Sequence, residues 1–455
     1  MQPMIPYAEI RKFASANSAN KLDKISSFTV SLTTSLFSYT KPGKKLLFYN
    51  RLNGFLKILS LHIIARNGLQ LSYRTPAASP ETNLPRVLRS FERMAEHSGI
   101  LQTDKTTNHI CFSKEYKELP SKFFDDIQDF VKAPNKEKAD RLDAILDGIA
   151  QDYLFIHNLT LLYNDKRVKS MAGWANLIKK GHLSYEIRLA ETLSELAQLS
   201  FSDKIVSSFE ESYYTRSGRD AFRQLIEPNF KEALKSLCVT TPVRNVLDIG
   251  CGFGDYIETL RHTVETDSIT GLDINPEVVD ITQSRFDKQP EIEILCENAL
   301  NISDNESYDL ILANFVLFYF TLSEQKELFR KIRSWLSPHG TFLVCQYFPD
   351  IENMKNALAM AHDDNSIFER IERHYANTTL YANAVWNDAL DLFATSEQWH
   401  EFVALLESEG LKIESLRKAD RFYYSLFITI RRDDEEAPNS YAIAGDEGGY
   451  TAEEN

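Results

Sequence analysis

The chain has 455 residues, of which 43% are hydrophobic and 28 are Phe, which is more apolar material than one hydrophobic core accommodates. We therefore expect two domains. The net charge of -14 disfavours a nucleic-acid partner, and no segment has the uninterrupted apolar length of a membrane helix or the pattern of a signal peptide, so we expect a cytoplasmic protein without a membrane partner.

The first 200 residues show mainly helical periodicity, clearest in Lys45–Ala65 and Lys136–Tyr163. Between them, Leu84–Tyr116 combines an amphipathic helix, a Gly-Ile-Leu stop and two short extended pieces, which is the pattern of a winged helix. A winged helix by itself suggests DNA binding, because its helix can enter the major groove. The acidity of this chain favours a structural role instead.

A glycine-rich turn follows the predicted strand Asn245–Ile249 and leads into a predicted helix, Asp255–His262. Gly250, Gly252 and Gly254 allow a tight turn and a close approach of the backbone to a ligand. A dinucleotide site requires a third glycine at position 255, where this chain has Asp. A carboxylate there repels a pyrophosphate but tolerates a cationic ligand without phosphate, such as S-adenosylmethionine.

About 20 residues past the glycines, in the run Ile269–Ile274, Asp273 ends a second strand at the position from which a carboxylate binds ribose hydroxyls. The downstream pattern continues to alternate strands and helices, which predicts a doubly wound α/β sheet. Its predicted strands are Ile292–Leu295, Tyr308–Asn314, Thr341–Gln346, Leu411–Leu416 and Ser425–Arg431, and its predicted helices are Thr321–Leu336 and Ser396–Glu409.

These motifs, in this order, resemble those of the class I S-adenosylmethionine-dependent methyltransferases from Val246 to about Arg432. The resemblance implies a Rossmann-like domain with a seven-stranded mixed sheet. It assigns cofactor binding to Asp248, Gly250, Gly252, Gly254, Asp273, Ile274, Asn298, Ala299, Asn314 and Phe315. At Asn298 the family usually has an acid that binds the adenine amine, and an amide oxygen can accept the same hydrogen bond.

A helical, winged-helix region before such a domain resembles the small-molecule O-methyltransferases. That likeness implies a homodimer built by the N-terminal region, with a helical and winged-helix dimerisation and substrate-capping domain at 1–205 and the methyltransferase domain at 206–432. Composition separates a third part, a tail at 433–455. The tail carries eight acidic residues and no Lys or Arg, so we expect it to be disordered, with a partner-binding segment or a lid as the alternative.

The chemistry is where this chain departs from the family. Family members commonly deprotonate the acceptor with a His just after the fourth strand, and that position is Phe318 here. Three interpretations follow: the acceptor needs little help, as a carboxylate, an acidic enol or an amine would; another residue, with His374 as the candidate, is the base; or the bound cofactor serves another purpose.

Aromatic side chains near the predicted cofactor edge suit a planar small-molecule acceptor, although packing between domains explains them equally well. The candidates for substrate contact are Tyr213, Tyr214, Phe318, Tyr347 and Tyr375. We therefore expect a methyltransferase for a small aromatic or polyketide-like metabolite that works mainly by positioning. The alternatives are a regulatory or non-catalytic cofactor-binding protein and a methyltransferase acting on a peptide or protein.

Metal-ligand spacings are missing from the sequence. The five cysteines and ten histidines are scattered without the short paired separations that a bound metal requires. We therefore expect no metal and reduced thiols.

Overall fold

The computed structural model of the protein describes a helical part and a part built on a large sheet. The described residues are 4–11, 41–68, 84–104, 110–165, 174, 184–201, 219, 221–238, 242–302, 307–348, 352–361, 367–389, 394 and 398–433. The predicted tail therefore lies outside the described residues, apart from Asp433.

The sheet has eight strands: β1 (Ile5–Pro6), β4 (Asn245–Ile249), β5 (Ser268–Asp273), β6 (Ile292–Cys296), β7 (Tyr308–Asn314), β8 (Leu336–Tyr347), β9 (Leu411–Lys418) and β10 (Ser425–Arg432). Their order across the sheet is β1-β9-β10-β8-β7-β4-β5-β6. The five neighbouring strands from β8 to β6 are parallel, and β10, β9 and β1 are antiparallel to their neighbours.

The doubly wound α/β fold is confirmed, but the predicted count of seven strands is wrong. The eighth strand is β1, whose Ile5 lies opposite Leu416 of β9. Two residues are too few to show the alternation that identifies a strand, and this pairing joins residues about 400 positions apart, so no local pattern announces it.

The helical part confirms the predicted helices around Lys45–Ala65 and Lys136–Tyr163. The second region is two helices, since Asp147 and Gly148 adopt positive φ angles of 50° and 87° and break it. The helices are α1 (Lys41–Asn67), α2 (Leu84–His97), α3 (Ser121–Lys132), α4 (Lys136–Leu146), α5 (Ile149–Asp165) and α6 (Ser184–Ser194).

The segment predicted as a winged helix contains α2 and a two-stranded antiparallel hairpin. The hairpin strands are β2 (Leu101–Thr103) and β3 (Ile110–Phe112), with Leu101 opposite Phe112. A helix followed by a hairpin agrees with the pattern, but the winged-helix assignment and its role in a dimer stay predictions.

Two of the helices around the sheet begin at residues with recognisable capping signals. Asn275 accepts backbone N–H bonds from Glu277 and Val278 and is followed by Pro276, and Thr321 forms a capping box with Glu324. The helices are α7 (Glu227–Cys238), α8 (Asp255–Arg261), α9 (Pro276–Arg285), α10 (Leu322–Trp335), α11 (Glu352–Ala361), α12 (Ile367–Ala389) and α13 (Trp399–Ser408).

Both faces of the sheet are buried, which explains why its strands are continuously apolar. Side chains alternate between the two faces: Val246, Leu312 and Cys345 contribute to one core, while Leu247 and Val344 contribute to the other. The first of these cores continues into the helical part. Polar side chains that replace apolar ones near the ends of the strands therefore stand out as functional candidates.

The long helix α12 joins the two parts. Its Asp388 accepts a hydrogen bond from Ser90 of α2 and lies 3.4 Å from the guanidinium of Arg86, while its Tyr381 ring packs against His97. A second connection runs from Arg421, in the β9–β10 turn, to the buried Glu186 of α6 at 2.8 Å.

Candidate functional site

The glycine loop has the strained geometry that its sequence predicts. Gly250, Gly252 and Gly254 have φ angles of 71°, 52° and 72°, where other residues rarely lie. A Cβ on Gly250 would stand 2.5 Å from the side chain of Val316. The loop is tied to β5, because the N–H groups of Gly250 and Cys251 both donate to the carbonyl of Leu272.

Asp248 lies at the carboxyl end of β4, next to the glycine loop, and is 2% exposed. Among the described residues, its Oδ2 has no hydrogen-bond partner. Burial, together with the nearby Asp273 carboxylate, raises the pKa of Asp248 to about 8. A buried carboxyl group in this state gains most from a cationic partner, which would restore its ionised form.

Asp273, at the end of β5, accepts backbone N–H groups with both of its oxygens. One accepts the N–H of Gly252 and the other accepts the N–H of Asn275, each at 3.0 Å. A carboxylate has about four acceptor sites, so these two bonds leave capacity for ligand hydroxyls. The neighbouring Ile274 is 71% exposed, which is unusual for a large apolar side chain and suits contact with a flat ligand.

Asn298 and Ala299 follow β6 at the same edge. The Oδ1 of Asn298 accepts the N–H of Leu300 at 2.9 Å, so part of its acceptor capacity shapes the turn, and Ala299 is buried in the core. The predicted hydrogen bond from an adenine amine would use the remaining lone pair of Asn298.

At the end of β7, Asn314 is 7% exposed, and both polar atoms of its amide lack partners among the described residues. The next residue, Phe315, has a φ of 53°, a strained angle for a non-glycine residue, and its N–H donates to the carbonyl of Cys345. In the pairing of β4 with β7, Asp248 lies opposite Leu312. Asn314 is two residues beyond Leu312, so Asp248 and Asn314 face the same side of the sheet.

Asp255 does not present an uncompensated carboxylate to a ligand. It accepts a hydrogen bond from Arg285 at 2.9 Å and another from Arg219 at 3.0 Å, and the Arg219 guanidinium also lies over the ring of Phe253. The predicted repulsion of a pyrophosphate by the Asp255 carboxylate is therefore wrong. The absence of a third glycine at this position still departs from the dinucleotide motif. Neither arginine was singled out by sequence, since their partner is 30 and 36 residues away.

The position of the family base is apolar and packed. Phe318 is 2% exposed in a single 3-10 turn, Leu317–Tyr319, and its ring lies 6.0 Å from that of Tyr347. Tyr256 and Cys345 lie on the Asp248 side of the sheet and hydrogen-bond to each other. Burial raises the pKa of both groups, so both keep their protons and neither replaces the missing base.

Only some of the predicted acceptor contacts fall within the described residues. Tyr347 ends β8, and its hydroxyl accepts a hydrogen bond from Asn387 of α12 at 2.9 Å. His374 and Tyr375 belong to α12, but their side chains lie outside the described residues, as do Tyr213 and Tyr214. The sequence analysis missed Asn383, Asn387 and Tyr424, although the Asn–Asn spacing of four residues in a helix was a usable signal.

Two negative findings concern the described part of the chain. No helix there is both long and apolar enough to cross a membrane. Within the same residues, no three His, Cys, Asp or Glu side chains come together as metal ligands would, and the five cysteines form no disulfide.

Residues 246–340 match the protein family described as "Methyltransferase domain". Malonyl-[acyl-carrier protein] O-methyltransferase of Halalkalibacterium halodurans is 24% identical over 219 residues, which are 44% of this chain and 79% of the relative. Trans-aconitate 2-methyltransferase of Escherichia fergusonii is 32% identical over 111 residues, 24% of this chain and 42% of the relative.

Among solved structures, an O-methyltransferase family 2 protein from Planctomyces limnophilus, in complex with apigenin, is 14% identical with a TM-score of 0.45. The alignment covers 85% of this chain and 95% of that one. The family match spans the glycine loop, Asp248, Asp273 and Asn314. Residues 246–340 thus match a methyltransferase domain, the relatives support the class I S-adenosylmethionine-dependent methyltransferases, and S-adenosylmethionine is the cofactor.

Proposed function

We propose that the whole chain is a methyltransferase that transfers the methyl group of S-adenosylmethionine to a small, planar, aromatic or polyketide-like acceptor, most simply at an oxygen atom. The observation that carries this proposal is the pair of buried polar side chains beside the glycine loop. Asp248 and Asn314 are each more than nine-tenths buried, and both have polar atoms without partners among the described residues. Such atoms are costly unless a ligand pairs with them.

The residues at this edge fit the parts of the cofactor. Asp248 would take the cationic amino group, with the Asn314 amide and the turn at Phe315 beside the methionine portion. Asp273 would take the ribose hydroxyls, with the exposed Ile274 against the adenine. Asn298 would accept from the adenine amine, and Ala299 and the loop glycines Gly250, Gly252 and Gly254 would leave room for the ligand.

When bound, the cofactor supplies a methyl group on a sulfonium, which is already activated for displacement. The protein then has to align the acceptor and exclude water. Phe318 and Tyr347 provide aromatic surface beyond β7 and β8, and the Phe318 side chain has no group that could accept a proton. We propose His374 of α12 as the base where the acceptor needs one. His374→Gln should then lower the turnover of phenols and leave the binding of S-adenosylhomocysteine unchanged.

The direct test is calorimetric titration of the purified protein with S-adenosylmethionine and S-adenosylhomocysteine, with NADH as the control ligand. We expect both adenosyl compounds to bind and NADH not to bind. Failure of both adenosyl compounds to bind would remove the proposal. Release of S-adenosylhomocysteine in the presence of phenolic acceptors would then establish turnover.

Phe318 also favours a second candidate, an acceptor that is itself acidic. A carboxylate is ionised at neutral pH and needs no base. The names of two relatives, malonyl-[acyl-carrier protein] O-methyltransferase and trans-aconitate 2-methyltransferase, point to acceptors of that chemistry. Trans-aconitate turnover at a rate above that of phenols would favour this candidate.

Two further alternatives predict different outcomes in the same assays. A non-catalytic or regulatory protein would bind both adenosyl compounds and methylate nothing. A methyltransferase for proteins would add a methyl group to a peptide, or to itself on incubation with the cofactor alone, which intact-mass measurement detects. We also propose that residues 1–205 form a homodimer and cap the substrate, which light scattering of the full chain and of a chain beginning at residue 206 would test.

A further inference from the structure

The bridging helix α12 has two chemically different faces. Tyr381 and Asp388, seven residues apart, face α2, where they contact His97 and Ser90. Thr379, Asn383 and Asn387 recur every four residues and form a polar stripe on another side of the helix. The contacts with α2 explain the first face, but they do not explain the polar stripe.

The two asparagines of the stripe hold a pair of stacked tyrosines. Asn383 donates to the hydroxyl of Tyr424 at 2.7 Å, and Asn387 donates to the hydroxyl of Tyr347 at 2.9 Å. The two rings are 5.0 Å apart and within 8° of parallel. Both tyrosines are only partly buried, so the pair is a rigid aromatic wall that solvent reaches.

This wall stands next to the proposed methyl-transfer position. Tyr347 is two residues beyond Cys345, which pairs with Asn314, and its ring contacts Phe318. Tyr424 precedes β10, whose first residue, Ser425, pairs with Tyr347. Ligands bind beyond the carboxyl ends of parallel strands in this architecture, and the wall occupies that edge on the β8 side.

Thr379 provides an independent indication that the stripe meets a ligand. Its side chain is 5% exposed, and its Oγ1 has no hydrogen-bond partner in the described part of the chain. A buried hydroxyl without a partner is unfavourable, and in a helix it is normally satisfied by a carbonyl one turn earlier. The stripe places this hydroxyl one turn from Asn383.

We propose that Tyr347, Tyr424, Asn383, Asn387 and Thr379 form the acceptor subsite, and that it selects a planar ring system bearing oxygen atoms. This rests on the proposed function. The stacked tyrosines supply a flat surface for the ring, and the amides and the hydroxyl bind its oxygens. The Nζ of Lys355 lies 6.0 Å from the centroid of the Tyr424 ring, so the subsite has a cation on one side. Its selectivity therefore comes from the flat ring surface and the hydrogen-bonding groups, not from an absence of charge.

The test measures equilibrium binding of chrysin, a planar dihydroxyflavone, to the full chain saturated with S-adenosylhomocysteine. Asn383→Leu and Asn387→Leu keep the side-chain volume and remove the amide, and Tyr424→Leu removes one ring. We expect each to weaken chrysin binding by about tenfold or more, with S-adenosylhomocysteine affinity unchanged. Melting curves show which variants are folded, and Tyr424→Leu replaces an asparagine variant that does not fold.

The matched control is Asn229→Leu. Asn229 also holds the β9–β10 turn with its amide, which donates to the carbonyl of Ala419 at 3.0 Å, but it does so from α7 and binds the backbone instead of a tyrosine hydroxyl. We expect it to leave chrysin binding unchanged. Equal losses in Asn229→Leu and Asn383→Leu would reduce the stripe to a support for the turn and overturn the proposal.

Two other outcomes would also overturn it: no chrysin binding by the loaded protein, or binding of trans-aconitate that is weakened by the same asparagine substitutions. Failure of the proposed function has a different signature, because the protein would then not bind S-adenosylhomocysteine in the first place.

Discussion

Two aspartates of this chain, Asp248 and Asp420, are each 2% exposed, yet their surroundings differ completely. Asp420, in the β9–β10 turn, accepts the backbone N–H groups of Phe422, Tyr424 and Ser425 at 2.6 to 3.1 Å. Asp248 has an oxygen without any partner in the described part of the chain. Burial raises the pKa of both groups.

The difference teaches how to separate a structural carboxylate from a binding one. At Asp420 the chain itself supplies the donors, and the bonds fix a turn in which Tyr423 has a φ of 58°. At Asp248 the backbone turns away into the glycine loop and supplies none. One carboxylate therefore stabilises the fold, whereas the other costs stability until a ligand binds.

The largest effect should come from removing the structural carboxylate. Asp420→Ala leaves three N–H groups of a buried turn without their acceptor, which we expect to lower the free energy of unfolding by about 4 kcal/mol. Urea unfolding followed by circular dichroism measures it. A change below 1 kcal/mol, taking that as roughly the loss of one net hydrogen bond, would contradict the structural role.

Asp248→Asn should weaken ligand binding and leave the stability of the free protein intact. The amide keeps the shape but cannot pair with a cation, so we expect S-adenosylmethionine to bind about 10- to 100-fold more weakly while the free protein becomes no less stable. Asp309→Asn is the control: Asp309 lies at the other end of β7 and accepts the N–H groups of Arg244 and Asn245. Comparable loss of affinity in both variants would break the comparison.

The pH dependence of stability is a further test of the comparison between Asp248 and Asp420. The folded protein holds the Asp248 proton up to about pH 8, while the unfolded chain releases it near pH 4, so this group makes the free energy of unfolding fall as pH rises between those values. The slope is at most about 1.4 kcal/mol per pH unit. Asp248→Asn should remove this component, and wild type and variant should therefore diverge as the pH rises. Parallel stability curves would show that Asp248 is already ionised.

How much the sequence predicts depends on how local the cause is. The glycine loop, β4 and the Thr321 cap were predictable because each depends on residues within a few positions. The partners of Asp255, the pairing of β1 and the amide bonds from α12 were not, since each joins distant segments. The type of cofactor was therefore accessible from sequence, while the acceptor contacts required the fold.

Gln346 of β8 is the most demanding case for the comparison, and its expected effect is the smallest. It is fully buried, and both polar atoms of its amide lack partners among the described residues, as at Asn314. However, Gln346 is two positions from both Val344 and Phe348 and so shares their face of the sheet. Those residues lie in the core on the face away from Asp248. We infer that its amide is an unpaired group rather than a ligand contact. Gln346→Leu should therefore raise the free energy of unfolding by about 1 kcal/mol and leave S-adenosylmethionine affinity unchanged.

The same titration and unfolding experiments check both parts of this prediction, with Asn314→Leu as the matched variant, which should weaken cofactor binding. If Gln346→Leu also weakened cofactor binding, the ligand would reach both faces of the sheet. The face on which a buried polar group lies would then no longer identify the site. If it destabilised the protein instead, the amide would have a partner outside the described residues. Only an increase in stability with unchanged affinity separates a binding carboxylate such as Asp248 from a merely unpaired group.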